Sequence, residues 1–183
     1  MTCYKYQGQN NMGIFKLFHR RERRDTYLRN FIFGVEDSLV STVGLLAGVA
    51  AADVTGRAIL ATGFVLIVVE GFSMGIGSFL TEETTEEMAG EKPHTLESIK
   101  GALTMLVSYC LAGLIPLFPY IFLVGQLAIS ISIALSLLGL MILGYATSIF
   151  YGRPRPWVRA LKMLVLGGMA VLVGMLIGKL FHL

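Results

Sequence analysis

Five apolar runs, each about twenty residues long, alternate with short polar stretches along this chain. That run length matches the roughly 20 residues a helix needs to cross about 30 Å of hydrocarbon. The pattern predicts spans over Phe31–Ala52, Arg57–Thr81, Ile99–Val124, Gln126–Phe150 and Val158–Lys179. Breakers separate them: Asp53-Val54-Thr55-Gly56 is a cap-and-turn signal, and Gly152-Arg153-Pro154-Arg155-Pro156 cannot continue a helix. Pro116 and Pro119 interrupt the third span near its far end, where a kink is expected. All five spans must be helices, because open strands cannot satisfy their backbone groups in lipid. The expected fold is all-α, a polytopic membrane protein with five transmembrane helices. Residues 30–183 form its membrane domain, with a short acidic loop at about 82–98. Residues 1–29 form a basic N-terminus, cytoplasmic, whose stretch 15–29 reads as an interfacial helix.

Composition agrees. Of 183 residues, 55% are hydrophobic and 15% charged, against about 25% charged in soluble domains. The mean hydropathy is +0.70. The lysines and arginines divide 13 against 2 between the two predicted faces, only Arg57 and Lys179 lying opposite the rest. The positive-inside rule then puts the N-terminus in the cytoplasm and the C-terminus outside or in a lumen. The same asymmetry accounts for the isoelectric point near 9.0. No soluble surface is large enough for a nucleic-acid groove, so nucleic acid is not expected as a partner. Cys3 and Cys110 lie too far apart in this topology to bridge, and Cys110 reads as packing. No leader with a small-residue cleavage site precedes the first span, and a prokaryotic plasma membrane is the expected location.

The chemistry lies in three intramembrane carboxylates. A carboxylate in hydrocarbon is costly and usually faces a cavity, a partner or an ion. Glu36 and Asp37 sit about one turn inside the first span, and Glu70 lies deep in the second. Ser41 continues the Asp37 face toward the midplane, whereas Glu36 points about 100° away. Met74 is one turn beyond Glu70. Hard oxygen beside soft sulfur suits a borderline first-row ion such as Fe²⁺ better than Ca²⁺ or Mg²⁺. Packing is the competing reading of Met74, as for most methionines in apolar helices. Gly44, Gly48, Gly71 and Gly75 leave room for another helix to approach closely, and an odd span count leaves no internal two-fold. Both features predict a parallel homodimer. Beyond the second span, Glu82, Glu83, Glu86 and Glu87 occupy adjacent helical faces. They either concentrate cations at the cytoplasmic mouth or form a solvated helix end.

Three stretches carry a resemblance. FGVEDSLVSTVGLLAGVAAA, EGFSMGIGSFLTEE and AGLIPLFPYIF, in that order, are similar to the first three helices of the vacuolar iron transporter family of iron/manganese carriers and nodulin-like proteins. The resemblance extends over about residues 26–181. It implies a five-span dimer that moves Fe²⁺ or Mn²⁺ out of the cytosol in exchange for protons. It further implies no enzymatic activity and no permanently bound cofactor. Asp37 falls on the family's first-helix aspartate and Met74 on its second-helix methionine, both associated with the path at the dimer interface. Ser38 departs from a common glycine, and Glu70 occupies a position where many members carry a small residue. About eighteen residues replace the glutamate-rich cytoplasmic metal-binding domain of some members, making this a short form. Expected metal-site residues are therefore Asp37, Glu70, Met74, Glu36, Ser41, Glu82, Glu83 and Glu86. The alternative is a nontransporting scaffold or metal sensor of the same fold.

Overall fold

The computed structural model of the protein describes residues 3–90, 92 and 94–181, and along residues 3–25 the backbone alone. Six helices follow in order: α1 Cys3–Ala51, α2 Gly56–Met88, α3 Thr95–Leu117, α4 Pro119–Phe122, α5 Gln126–Phe150 and α6 Pro156–Phe181. Five of them are long and apolar enough to cross a membrane: Thr26–Ala51 of α1, then α2, α3, α5 and α6. No strand occurs among the described residues. The all-α, five-span architecture expected from the hydrophobic pattern is thus the one observed.

Boundaries follow the breakers. Helix α1 stops at Ala51, and Asp53 takes a positive φ of 58° in the turn before α2. The third span is shorter than its apolar run, because Pro116 and Pro119 divide it. Helix α3 ends at Leu117 and one turn, α4, follows. A proline ring supplies no amide hydrogen, so carbonyls near this break need other donors. Ser132 of α5 donates to the Pro116 carbonyl at 2.6 Å. The structure thereby turns a sequence interruption into an α3–α5 contact. At the other face α2 extends to Met88, carrying the acidic cluster into the helix. The interfacial role expected for residues 15–29 falls mostly on positions whose side chains lie outside the described residues.

Helix α1 is the axis of the bundle. Its span is 56% buried, against 22–39% for the other four, and it packs against α2, α3, α5 and α6. Lipid tails are as apolar as leucine, so burying leucine against other helices brings little hydrophobic gain; close packing holds such a bundle instead. The α1–α6 crossing shows how. Gly44 and Gly48 of α1 lie against the backbones of Ala170 and Gly174 of α6, and Gly174 and Gly178 in turn face the Gly44 and Gly48 carbonyls. A Cβ added to Gly48 would lie 2.7 Å from the Gly174 carbonyl oxygen. Gly71 and Gly75 of α2 meet Cys110, Leu106 and Ala102 of α3 in the same way. These four glycines support the expectation of a homodimer less than their spacing suggests. Their open faces are filled by α3 and α6 of the same chain, because those helices supply the complementary small or flexible residues.

Candidate functional site

Helices α1, α2 and α3 converge on one buried tyrosine. Tyr109 of α3 has no exposed surface. A tyrosine hydroxyl in a bundle interior needs a partner, since no water compensates it there. Tyr109 donates to the Glu70 carboxylate of α2 in a short hydrogen bond. The Ser41 hydroxyl of α1 lies 2.7 Å from the same phenolic oxygen. With Glu70 ionised, the single phenolic hydrogen is committed to it, so Ser41 donates to Tyr109. A second bond holds the tyrosine's backbone: the buried Ser38 donates to the Tyr109 carbonyl at 2.6 Å. One turn of α1, Ser38 to Ser41, thus grips both ends of this residue. The tyrosine in turn aims one side of Glu70.

Glu70 and Ser41 open onto a groove of about 790 Å³ between α1, α2 and α6. The rest of its lining is apolar or small, including Gly44, Gly48, Leu66, Ala170 and Gly174, and it reaches Ala52 and Phe181. Ala52 follows the last residue of α1, eleven positions beyond Ser41, so the groove spans about 16 Å along the bundle. It leads from the carboxylate toward the face opposite the basic loops.

Asp37 is half-buried one turn before Ser41, within electrostatic reach of both Glu70 and Glu36. Among the described residues it has no hydrogen bond or ion pair. Its carboxylate is therefore available to a mobile cation. Met74 is partly exposed one turn from Glu70 on α2 and does not line the groove. Glu36 points elsewhere, as the 100° offset requires, into a separate pocket with Arg153, Arg155, Arg159 and Lys162. Four cations around it make that pocket a poor place for a metal ion.

The acidic cluster is engaged in tying helices together. Glu82 lies 3.9 Å from the Arg29 guanidinium of α1. Glu83 accepts a hydrogen bond from Thr95 at 3.3 Å. Glu86 accepts from the His94 backbone amide at 2.6 Å and approaches its Nδ1 at 3.3 Å. Together they dock the end of α2 onto α1 and onto the start of α3. They do not join Asp37 and Glu70, and no group of three or more His, Cys, Asp or Glu side chains poised for a metal occurs among the described residues.

Tyr109 is the residue that sequence reading missed. Its signal was present. Tyrosines in membrane proteins favour the two interfaces, whereas Tyr109 lies mid-span in LVSYCLAG. A mid-span hydroxyl implies a polar partner on another helix, and Glu70 was the unpartnered group. Neighbouring Cys110 has its Sγ 3.8 Å from the Ile67 carbonyl and faces Gly71, in keeping with a packing role.

Comparison with known proteins identifies the family. The VIT family model matches residues 28–92 and 81–179, the two stretches overlapping across the end of α2 and the start of the α2–α3 connection. A vacuolar iron transporter of Centaurea cyanus is 38% identical over 85 residues, covering 46% of this chain and 34% of the relative. Vacuolar iron transporter 1 of Oryza sativa subsp. japonica is 34% identical over 104 residues, covering 56% and 41%. The chain thus aligns with less than half the length of these two relatives. Vacuolar iron transporter 1 of Tulipa gesneriana is 24% identical over 204 residues, covering 78% of this chain and 82% of the relative. That alignment is longer than the chain itself, so the tulip protein carries residues without a counterpart here. These relatives also correct the expected location. They are plant proteins named for the vacuole, which overturns the expectation of a prokaryotic plasma membrane. A first span that inserts without cleavage serves any membrane, so its apolar pattern did not discriminate among them.

Proposed function

We propose, for a chain that belongs to the VIT family, that it moves a divalent transition metal, Fe²⁺ or Mn²⁺, out of the cytosol in exchange for protons. The receiving compartment is of the kind for which its relatives are named, a vacuole. The observation that carries this reading is the Ser41–Tyr109–Glu70 chain of hydrogen bonds at the head of the groove, with Asp37 one turn away. Carriage across a membrane requires binding that is weak enough to reverse. Two carboxylates, with Met74 as a soft donor beside them, offer too few ligands for a closed site. Water and a second copy of the chain complete the set. The groove beside Glu70 is open on the outside of one protomer, and a parallel homodimer closes it.

Each carboxylate binds either a cation or a proton. When the metal leaves Glu70 or Asp37 toward the far face, a proton from that side replaces it and crosses back. Tyr109 keeps Glu70 oriented in both states: it donates to the carboxylate and accepts from the acid. The purified protein in proteoliposomes, given Fe²⁺ or Mn²⁺ outside and a pH dye inside, tests the reading. Metal uptake accompanied by a matching proton flux is expected. Uptake without proton movement overturns the exchange, and no uptake of either ion favours a scaffold or sensor. Full activity from a monomer in nanodiscs overturns the dimer.

A further inference from the structure

A second polar cavity lies away from the carboxylate groove. It measures about 380 Å³ and is walled by Glu36 of α1, Ser148 of α5, and Arg153, Arg155, Arg159 and Lys162 of the α5–α6 loop and α6. Four cations face one carboxylate there, and among the described residues none of the four forms an ion pair. Two further atoms are unsatisfied. Ser148, only 1% exposed, has a buried hydroxyl without a hydrogen-bond partner, and the buried Arg159 Nε also lacks one. A buried donor left unpaired is costly. Two such donors in a basic cavity are the complement of an oxyanion.

The depth and surroundings of this cavity narrow the ligand. Trp157, which precedes the lining residue Val158, packs tilted against Tyr145 with ring centroids 4.8 Å apart, and such aromatics sit at headgroup level. The cavity also continues into an apolar groove of about 480 Å³ formed by Val158, Leu161, Lys162, Val165 and Leu166, three of which line both. A basic pocket opening onto an apolar helix face suits an anion that carries a hydrocarbon chain. We propose that this cavity binds the phosphate of an anionic phospholipid, held by Arg159, Arg155 and the Ser148 hydroxyl, with an acyl chain along α6. Lys162, shared by both parts, sits where headgroup and chain meet. Glu36 limits the excess of positive charge and leaves room for one phosphate.

Native mass spectrometry of the purified protein tests this, with dioleoylphosphatidylglycerol, dioleoylphosphatidylcholine and inorganic phosphate as separate probes. The wild type should retain phosphatidylglycerol in preference to phosphatidylcholine. Arg155→Gln/Arg159→Gln should weaken that retention by about tenfold or more, at roughly one kcal/mol per basic residue. Ser148→Ala, which removes one oxygen, should weaken it several-fold, and Arg159→Lys should retain most of it. Arg57→Gln, on the opposite face, should leave it unchanged. Equal retention of the two lipids, or of phosphatidylglycerol by wild type and the double variant, overturns the proposal. Binding of inorganic phosphate alone, in competition with the lipid, overturns the lipid as ligand and assigns the cavity to a free anion. A double variant that does not fold leaves Ser148→Ala and the lipid comparison to decide.

Discussion

Tyr109 and Glu70, on neighbouring helices, share a short hydrogen bond in the interior of the bundle. The bond joins α3 to α2 at a carboxylate that opens onto the α1–α2–α6 groove. The Ser41 hydroxyl lies 2.7 Å from the same phenolic oxygen, so three helices meet on one hydroxyl.

Tyr109→Phe keeps the ring and its packing but removes that hydroxyl. Orienting partners of metal ligands typically contribute 10–100-fold, so metal uptake should fall by roughly that factor. The fold should persist, with a loss of about 1–3 kcal/mol from the groups left unpaired. Proteoliposome uptake and thermal unfolding of the same preparation check the two effects separately. Wild-type uptake in this variant would mean that the tyrosine is only structural.

Asp37→Asn and Glu70→Gln keep shape and remove charge. Each should reduce Fe²⁺ uptake by about tenfold or more, the effect of losing roughly 1.4 kcal/mol of charge-assisted binding. Glu36→Gln should be far milder, because its side chain faces the basic cavity and not the groove. If Asp37→Asn and Glu70→Gln both transported at the wild-type rate, the proposed ion path would be wrong.

Two glycine substitutions separate close packing from helix propensity. Gly48→Ala drives a methyl group toward the Gly174 backbone, which cannot turn aside. It should cost about 1–3 kcal/mol through overpacking. Gly77→Ala meets nothing within 4 Å, and should be neutral or stabilising by up to about 1 kcal/mol. Melting temperatures in detergent give the comparison. Equal effects at the two positions would contradict the α1–α6 contact.

Met74→Leu removes sulfur at nearly constant volume. If the thioether touches the ion during passage, Fe²⁺ uptake should fall more than that of the harder Mn²⁺. Competition uptake of the two ions measures the ratio. An unchanged ratio would place Met74 in packing, consistent with its position outside the groove lining.

Features governed by one-dimensional pattern were legible from the residues alone. Runs of about twenty apolar residues dictate five spanning helices, because hydrocarbon leaves the backbone no other way to satisfy itself. Asp53 and the Arg153–Pro156 stretch mark turns for local reasons, and the three motif stretches revealed the family. Asp37 and Glu70 were conspicuous because carboxylates are rare in such runs. Which faces meet is set by helix packing. Gly44 and Gly48 advertised a close helix neighbour, but a small-residue stripe does not say whose helix fills it, and α6 of the same chain does. Glu82, Glu83 and Glu86 read equally as a cation funnel or a helix end until Arg29, Thr95 and His94 were found against them. The partner of Tyr109 was not legible, because its distance from Glu70 in the chain, 39 residues, hides a contact that only helix packing creates. Hydrophobic pattern acts along the chain and is legible there. Hydrogen-bond partners in lipid are chosen across helices, and only their packing reveals them.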